Sequence, residues 1–328
     1  MMLTPNRPHP RLANAVPGGL AAGIVLAVGA ALISGLAIYL NAFAVKQLPD
    51  AAVYTTLKNA VAATFLILLA LPFGVVRDIR LISRRSWPTV IAVGVLGGGI
   101  PFILFFVGLA QASAPSAAFI QKTLFVWVAL LAVPFLGERL GLVSIGALGV
   151  MLVGQAVILP PTGLRWGLGE TLILVATLLW SLETILVKRL LGSIPPTAMA
   201  VLRMGIGLIV LAGYLGLTNK LSIVVGLNSG QWAWALLTGL VLAGYVAAWF
   251  AALRRAPASV VASVLVLGAV VTGALTAVSK GSVPNPGVVA GYVLIVVAAA
   301  AIAGWTLRAA QRGSSVIGER QAAGAGAD

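Results

Sequence analysis

Ten long apolar runs constrain this sequence more than any other feature. Each is close to the ~20 residues that an α-helix needs to cross a bilayer. The runs do not alternate with period two, which argues against a β-barrel, and in lipid the helix is the remaining way to satisfy every backbone group. The sequence therefore predicts an all-α integral membrane protein with ten transmembrane helices. The runs cover residues 18–44, 51–71, 88–109, 114–135, 139–158, 168–187, 196–217, 231–253, 257–278 and 285–307.

Composition excludes several other classes of protein. Of the 328 residues, 60% are hydrophobic and 9% are charged, whereas soluble domains are about 45–50% apolar and about 25% charged. The chain has no cysteine, and its one histidine is His9, so no thiolate metal site or histidine relay is expected. It also lacks a Gly-x-x-x-x-Gly-Lys-Ser/Thr loop, so we expect neither ATP as a partner nor any cofactor.

The net charge of +14 reports orientation rather than a nucleic-acid partner. When the basic residues are assigned to the connections between runs, 14 of the 21 Lys and Arg fall on one side. Basic loops face the cytoplasm. The sequence thus predicts a multi-pass protein of a bacterial-type inner membrane, with both termini cytoplasmic.

The chain also repeats itself. A shift of 142 residues aligns Lys46 with Lys188 and Glu138 with Lys280, and a shift of 145 aligns Lys58 with Arg203. Each half holds five runs, and because five is odd the second half enters the membrane inverted. Such pairs typically work by alternating access, with substrate near the midplane between the halves. The predicted parts are a tail (1–17), a first five-helix repeat (18–158), a linker (159–167), a second repeat (168–307) and a tail (308–328).

A family resemblance appears at the end of the fourth run. The segment Pro134-Phe135-Leu136-Gly137-Glu138-Arg139-Leu140, followed by Gly146–Gly149, resembles the "LGE" element of the EamA-type repeat of the drug/metabolite transporter superfamily. Within that superfamily the chain is similar to bacterial amino-acid exporters of the YddG type. The resemblance implies a ten-helix secondary transporter. The second copy departs from the pattern, since Lys280 stands where the repeat usually has glutamate.

Basic residues inside the runs are candidates for substrate binding, because ionisable groups in a membrane are costly. Lys122 lies about 12 Å deep in the fourth run, beside Gln121, and either binds a substrate carboxylate or makes a structural salt bridge. Lys58 shares a helix face with Tyr54 and adjoins Asn59. Arg203 is its repeat partner, with a candidate gating role. Both long side chains could instead snorkel and anchor their helices.

Glu183 is the one carboxylate clearly within a run, and it follows Trp180 by one turn. It either binds a substrate ammonium, carries a proton, or pairs with Lys188. Aromatic residues supply a candidate lining, with helix packing as the alternative for each. These are Tyr39, Trp127, Trp180, Tyr245 and Trp249.

A glycine run interrupts the third span. Gly97, Gly98 and Gly99 precede Ile100 and Pro101, and proline with glycine predicts a kink. We interpret it as a gating hinge, with close helix packing as the alternative. Gly99 recurs in the second half as Gly244.

Three functions compete at this point. The first is a secondary carrier that exports small metabolites, above all aromatic or other neutral amino acids, and works as a monomer. The second is a carrier of drugs, nucleotide sugars or lipid-linked intermediates. The third is a membrane-embedded enzyme or assembly factor, which is disfavoured because no catalytic cluster is evident. The expected partners are a small-molecule substrate and the lipid bilayer.

Overall fold

The protein is described here by a computed structural model that covers residues 17–109, 111, 112, 114–158 and 166–325, and every regular element in these ranges is helical. Most of the predicted N-terminal tail, including His9, and most of the linker 159–167 lie outside the described residues. The helices are α1 (Pro17–Gln47), α2 (Ala51–Ala70), α3 (Val75–Arg80), α4 (Trp87–Val93), α5 (Ile100–Leu109), α6 (Ala114–Lys122), α7 (Leu124–Leu136), α8 (Leu142–Ile158), α9 (Leu168–Leu190), α10 (Pro196–Leu217), α11 (Leu221–Val225), α12 (Ser229–Arg255), α13 (Ala258–Leu265), α14 (Gly268–Lys280) and α15 (Pro286–Ala325).

Nine helical segments within the described ranges are long and apolar enough to cross a membrane. They correspond to nine of the ten predicted runs. The run at 139–158 corresponds to α8, which has 17 residues and is shorter than the other nine. The protein is therefore a multi-pass, all-helical membrane protein, and a count of ten crossing helices stays a prediction.

Two of the predicted runs, each of which forms one membrane-length segment, contain a helix break that was not predicted. The fourth run splits into α6 and α7 at Thr123, and the ninth splits into α13 and α14 at Val266–Leu267. The Thr123 hydroxyl donates to the carbonyl of Ile120 at 2.6 Å, a local bond that competes with the helical ladder. The two breaks fall at nearly equivalent positions of the two halves, which places irregular backbone deep in the bundle twice.

The glycine run of the third span forms a π-helix, Gly94–Gly99, between α4 and α5. Here the backbone comes very close to α10, since a Cβ added to Gly98 would lie 2.7 Å from the Cα of Gly207. Small residues allow such approach between membrane helices. Close packing thus accounts for Gly98, while the hinge stays a prediction.

The two halves pack as related units that run in opposite directions. Helix α1 packs on α12, and its equivalent in the second half, α9, packs on α5. In the same way α2 packs on α12, and its equivalent α10 packs on the π-helix. The beginning of α1 meets the end of α12, because a Cβ on Gly23 would lie 2.8 Å from that of Arg255. The last turn of α9 meets the same place, where the Lys188 ammonium donates to the carbonyl of Ala256 at 2.7 Å. We call this the basic end of the bundle (Lys188, Arg189, Arg254 and Arg255).

The basic end is closed by the polar contacts of Glu138 and Lys188, which we call the clasp, and by a packed apolar layer beneath them. The Glu138 carboxylate is 6% exposed and accepts from the N–H groups of Ala258 (2.6 Å) and Ser259 (3.1 Å). It thereby caps α13, where a negative charge is favourable. Lys188 donates to the carbonyls of Leu253 and Ala256 at the end of α12. Beneath the clasp the apolar side chains are almost completely buried; they include Ile24, Leu191, Ile194, Met199 and Leu253.

The opposite end carries an ion pair that joins the two halves. Asp50 caps α2 by accepting from the N–H groups of Ala52 and Val53, and its other oxygen lies 2.7 Å from the Lys220 ammonium. Partial burial opposes ionisation of Asp50, but the bonds from Lys220 and from the two N–H groups outweigh it and lower its pKa below the ordinary 3.8.

The close approach of α10 to the π-helix predicts unequal effects of two neighbouring glycines. Gly207→Ala should destabilise the protein by roughly 1–3 kcal/mol, because its Cβ would meet the Gly98 backbone at 2.5 Å. Gly205 has open space beside it, so Gly205→Ala should be neutral or stabilising through helix propensity. Thermal unfolding in detergent compares the two; equal effects would contradict the packing assignment.

Two substitutions separate the ion pair of Asp50 from its cap. Asp50→Asn keeps a capping side chain and should cost at most about 1 kcal/mol, because the pair is partly exposed. Asp50→Ala should cost about 1 kcal/mol more through loss of the cap. The folded-state pKa is lowered, so the charge-dependent part should be present at neutral pH and lost as the pH falls below 3.8. A gap in melting temperature between wild type and Asp50→Asn that persists in acid would contradict this.

Candidate functional site

A cavity of about 240 Å³ lies between the two halves. Lys58, Glu183 and Arg203 in its wall each lie seven residues from the nearer helix end, or about 10 Å at 1.5 Å per residue. The cavity is therefore deep in the bundle, and both halves line it. Its wall contains Ser34, Ala37, Ile38, Asn41, Lys58, Phe102, Gln121, Lys122, Leu124, Phe125, Trp180, Glu183, Thr184, Arg203, Leu242, Tyr245, Val246, Trp249, Phe250, Ala262, Leu265 and Val266.

Arg203 and Glu183 form a buried ion pair in the cavity wall. Nε of Arg203 lies 3.3 Å from Oε1 of Glu183, and the two residues are 8% and 4% exposed. A second guanidinium nitrogen donates to the carbonyl of Gly97 at 2.8 Å. Two expectations are corrected by this geometry. Glu183 pairs with Arg203 and not with Lys188, and Arg203 does not snorkel, because a carboxylate and a carbonyl hold it inside the bundle.

Lys58 lies in the wall without an anionic partner among the described residues. It is 7% exposed, and its ammonium lies 5.2 Å from the centroid of the Tyr54 ring. This cation–π contact lowers the cost of burying the charge without neutralising it. The alternative that Lys58 snorkels does not fit this position, because the residue is buried and lines the cavity.

Lys122 and Gln121 end helix α6, directly before the break at Thr123. Both side chains are partly exposed and line the cavity. Across the described part of the chain, no carboxylate pairs with Lys122. The break gives this lysine its position, because the helix that carries it stops at the cavity.

Aromatic rings form much of the remaining wall. The Trp180 indole donates to the Gly97 carbonyl at 3.1 Å, and the edge of its ring meets Phe102 with centroids 5.3 Å apart. Tyr245 and Trp249 stack, with centroids 6.1 Å apart. These rings give the cavity flat apolar faces beside its charged groups.

Several predicted site residues lie outside the cavity wall. Tyr54 is 1% exposed and donates to Asn41, while the Asn59 amide donates to the carbonyl of Thr55 at 2.7 Å. The Trp127 indole bonds the Thr123 hydroxyl at 2.9 Å, beside the helix break. Tyr39 packs edge-on against Phe43. The candidate hinge residues Gly97, Gly98, Gly99, Pro101 and Gly244 are also absent from the wall, although the carbonyl of Gly97 anchors two of its members.

Sequence reasoning missed some wall residues and had a signal for one of them. Asn41 occupies the position equivalent to Glu183 under the shift of 142 residues, and both line the cavity. Lys58 and Arg203 are related by the shift of 145 residues and also line the cavity. Equivalent positions that converge on one cavity indicate that the pseudo-two-fold axis passes through it. No comparable signal marked Phe102, Thr184 or Phe250.

Comparisons with known proteins agree with this architecture. Residues 21–159 and 167–304 each match the EamA-like transporter family. An uncharacterized transporter of Synechocystis is 26% identical over 210 residues, which is 60% of this chain and 60% of that protein. One crystal structure superposes with a TM-score of 0.71 over 85% of this chain and 97% of the other, at 17% identity, a likeness of fold alone. With both halves matched in full, the chain belongs to the EamA-like transporter family.

Proposed function

We propose that this protein is a secondary carrier that exports small carboxylate-bearing metabolites, amino acids among them, through the central cavity by alternating access. The observation that carries the proposal is the wall of that cavity, which is built from equivalent positions of two oppositely oriented halves and bears unpaired lysines. Such a site suits a carrier, because it can be exposed to either end by moving one half against the other.

The lysine beside the helix break supports a carboxylate-bearing substrate. Lys122 projects into a cavity whose only described carboxylate, Glu183, already accepts from Arg203. An ammonium that is partly removed from water without a partner is costly. A substrate carboxylate would remove that cost, and it would do so only while it is bound, so the lysine would favour the loaded site.

The closed basic end supports an orientation of the protein in the membrane and the assignment of this conformation to one stage of the transport cycle. The excess of Lys and Arg there predicts that this end faces the cytoplasm. The clasp of Glu138 and Lys188 then closes the cytoplasmic end, and Asn41, Gln121 and Lys122 in the cavity wall are partly exposed. We therefore assign the described conformation to the stage of the cycle that releases substrate outward, in a protein of the inner membrane that works as a monomer without ATP.

Removal of the Lys122 ammonium tests the proposed function. Lys122→Ala should lower counterflow of labelled amino acids and other carboxylates in proteoliposomes at least ~10-fold, the effect of ~1.4 kcal/mol of lost binding. Lys280→Ala is the matched control, because Lys280 lies exposed at the end of α14, outside the cavity. Normal transport by a well-folded Lys122→Ala protein would contradict the proposed role of this lysine.

The ion pair makes a separate prediction about coupling. Because Glu183 is engaged by Arg203, we expect it to hold the site together rather than to carry protons. Glu183→Gln should lower the melting temperature strongly, since breaking a buried pair costs about 3–5 kcal/mol. The double variant Glu183→Gln/Arg203→Gln should recover part of the loss, as a double-mutant cycle would show.

Transport at several pH values completes that experiment. Residual transport by Glu183→Gln should keep the pH profile of the wild type. A profile that flattens in the variant would instead identify Glu183 as a proton carrier.

A further inference from the structure

The positively charged side chains in the cavity wall outnumber the negatively charged ones. Four ionisable side chains of Lys, Arg or Glu line it: Lys58, Lys122, Glu183 and Arg203. Glu183 and Arg203 neutralise each other at 3.3 Å. Two ammonium groups are left, and neither has a carboxylate within reach among the described residues.

The other carboxylates whose side chains the structure describes either have partners of their own or lie outside the cavity wall. Asp50 pairs with Lys220, and Glu138 caps α13. Glu170 accepts from the N–H of Gly167 at the start of α9, and Asp78 belongs to the short helix α3. None lines the cavity. A bound molecule would therefore have to supply the opposite charge.

A neutral amino acid fits this wall poorly. Its carboxylate could meet one lysine, but the other lysine would stay unpaired. Its ammonium would find no unpaired carboxylate, because the charge of Glu183 is already balanced by Arg203, whose Nε lies 3.3 Å from Oε1. Unpaired charges of this kind are the usual basis on which a site rejects a ligand.

A small molecule with two acidic groups would supply one negative charge for each lysine. Lys58 approaches the cavity from α2 and Lys122 from the end of α6, so they belong to different walls. Their second-half neighbours in the wall include the rings of Tyr245, Trp249 and Phe250, which bring no negative charge. A volume of about 240 Å³ suits a molecule of a few carbon atoms.

We propose that the cavity selects small organic dianions of the dicarboxylate type over neutral amino acids, with one acidic group at Lys58 and the other at Lys122. The inference rests on the proposed function and narrows its substrate class. It predicts a ranking by net charge, in which a dicarboxylate precedes an acidic amino acid and a neutral amino acid comes last.

Counterflow in proteoliposomes tests the ranking. With labelled succinate, glutamate and leucine as probes, succinate should exchange at least ~10-fold faster than leucine, and glutamate should fall between them. Lys58→Gln and Lys122→Gln should each reduce succinate exchange ~10-fold or more. Lys280→Gln removes the same charge from an exposed site outside the cavity and should change nothing.

A binding measurement on the wild-type protein guards against variants that fail to fold. A ligand that binds only the folded state raises the melting temperature. Succinate should therefore raise it in detergent, whereas leucine at equal concentration and ionic strength should not.

The outcomes are distinguishable. Leucine exchange as fast as succinate exchange would overturn the dianion inference and leave the carrier intact. Succinate exchange that survives both lysine substitutions would overturn the assignment of the two lysines. Failure of all three probes to exchange, by folded protein, would contradict the proposed function itself.

Discussion

The centre of this bundle depends on the guanidinium of Arg203. In lipid no water is available to satisfy a buried charge, so each polar group must find its partner within the protein. Arg203 donates to the Glu183 carboxylate and to the Gly97 carbonyl, and so ties α10 to α9 and to the π-helix of the third span. Trp180 bonds the same carbonyl.

Gly97 is required by that arrangement rather than merely tolerated. A Cβ at this position would lie 2.3 Å from the carboxyl carbon of Glu183. The π-helix, the glycine and the ion pair are therefore one unit. Because the ion pair of that unit lies in the cavity wall, the shape of the cavity and the stability of the bundle rest on the same contacts.

Much of this fold could be predicted from the sequence, because a bilayer restricts a chain to a few solutions. Apolar length fixed the segments, and the shift that relates Lys58 to Arg203 fixed the two halves. Position within the apolar runs also marked Lys58, Lys122 and Glu183 as candidate site residues, and all three line the cavity. The partner of Glu183 was not predictable, since Lys188 is near in sequence while Arg203 is near only after α9 and α10 pack together. The helix breaks were missed for a similar reason: Thr123 is an ordinary residue until its hydroxyl bonds the chain.

The cap that Glu138 places on α13 breaks the equivalence of the two halves. Under the repeat, the position of Glu138 corresponds to Lys280, and the start of α13 corresponds to the start of α6. A rearrangement that exchanged the roles of the two halves would bring an ammonium, not a carboxylate, to a helix N-terminus, where positive charge is unfavourable. In the alternating-access cycle proposed above, the two states of the empty protein would therefore differ in free energy. A substrate that binds both states with equal affinity leaves this free-energy difference unchanged, so only a substrate that binds one state more tightly can shift the populations of the two states.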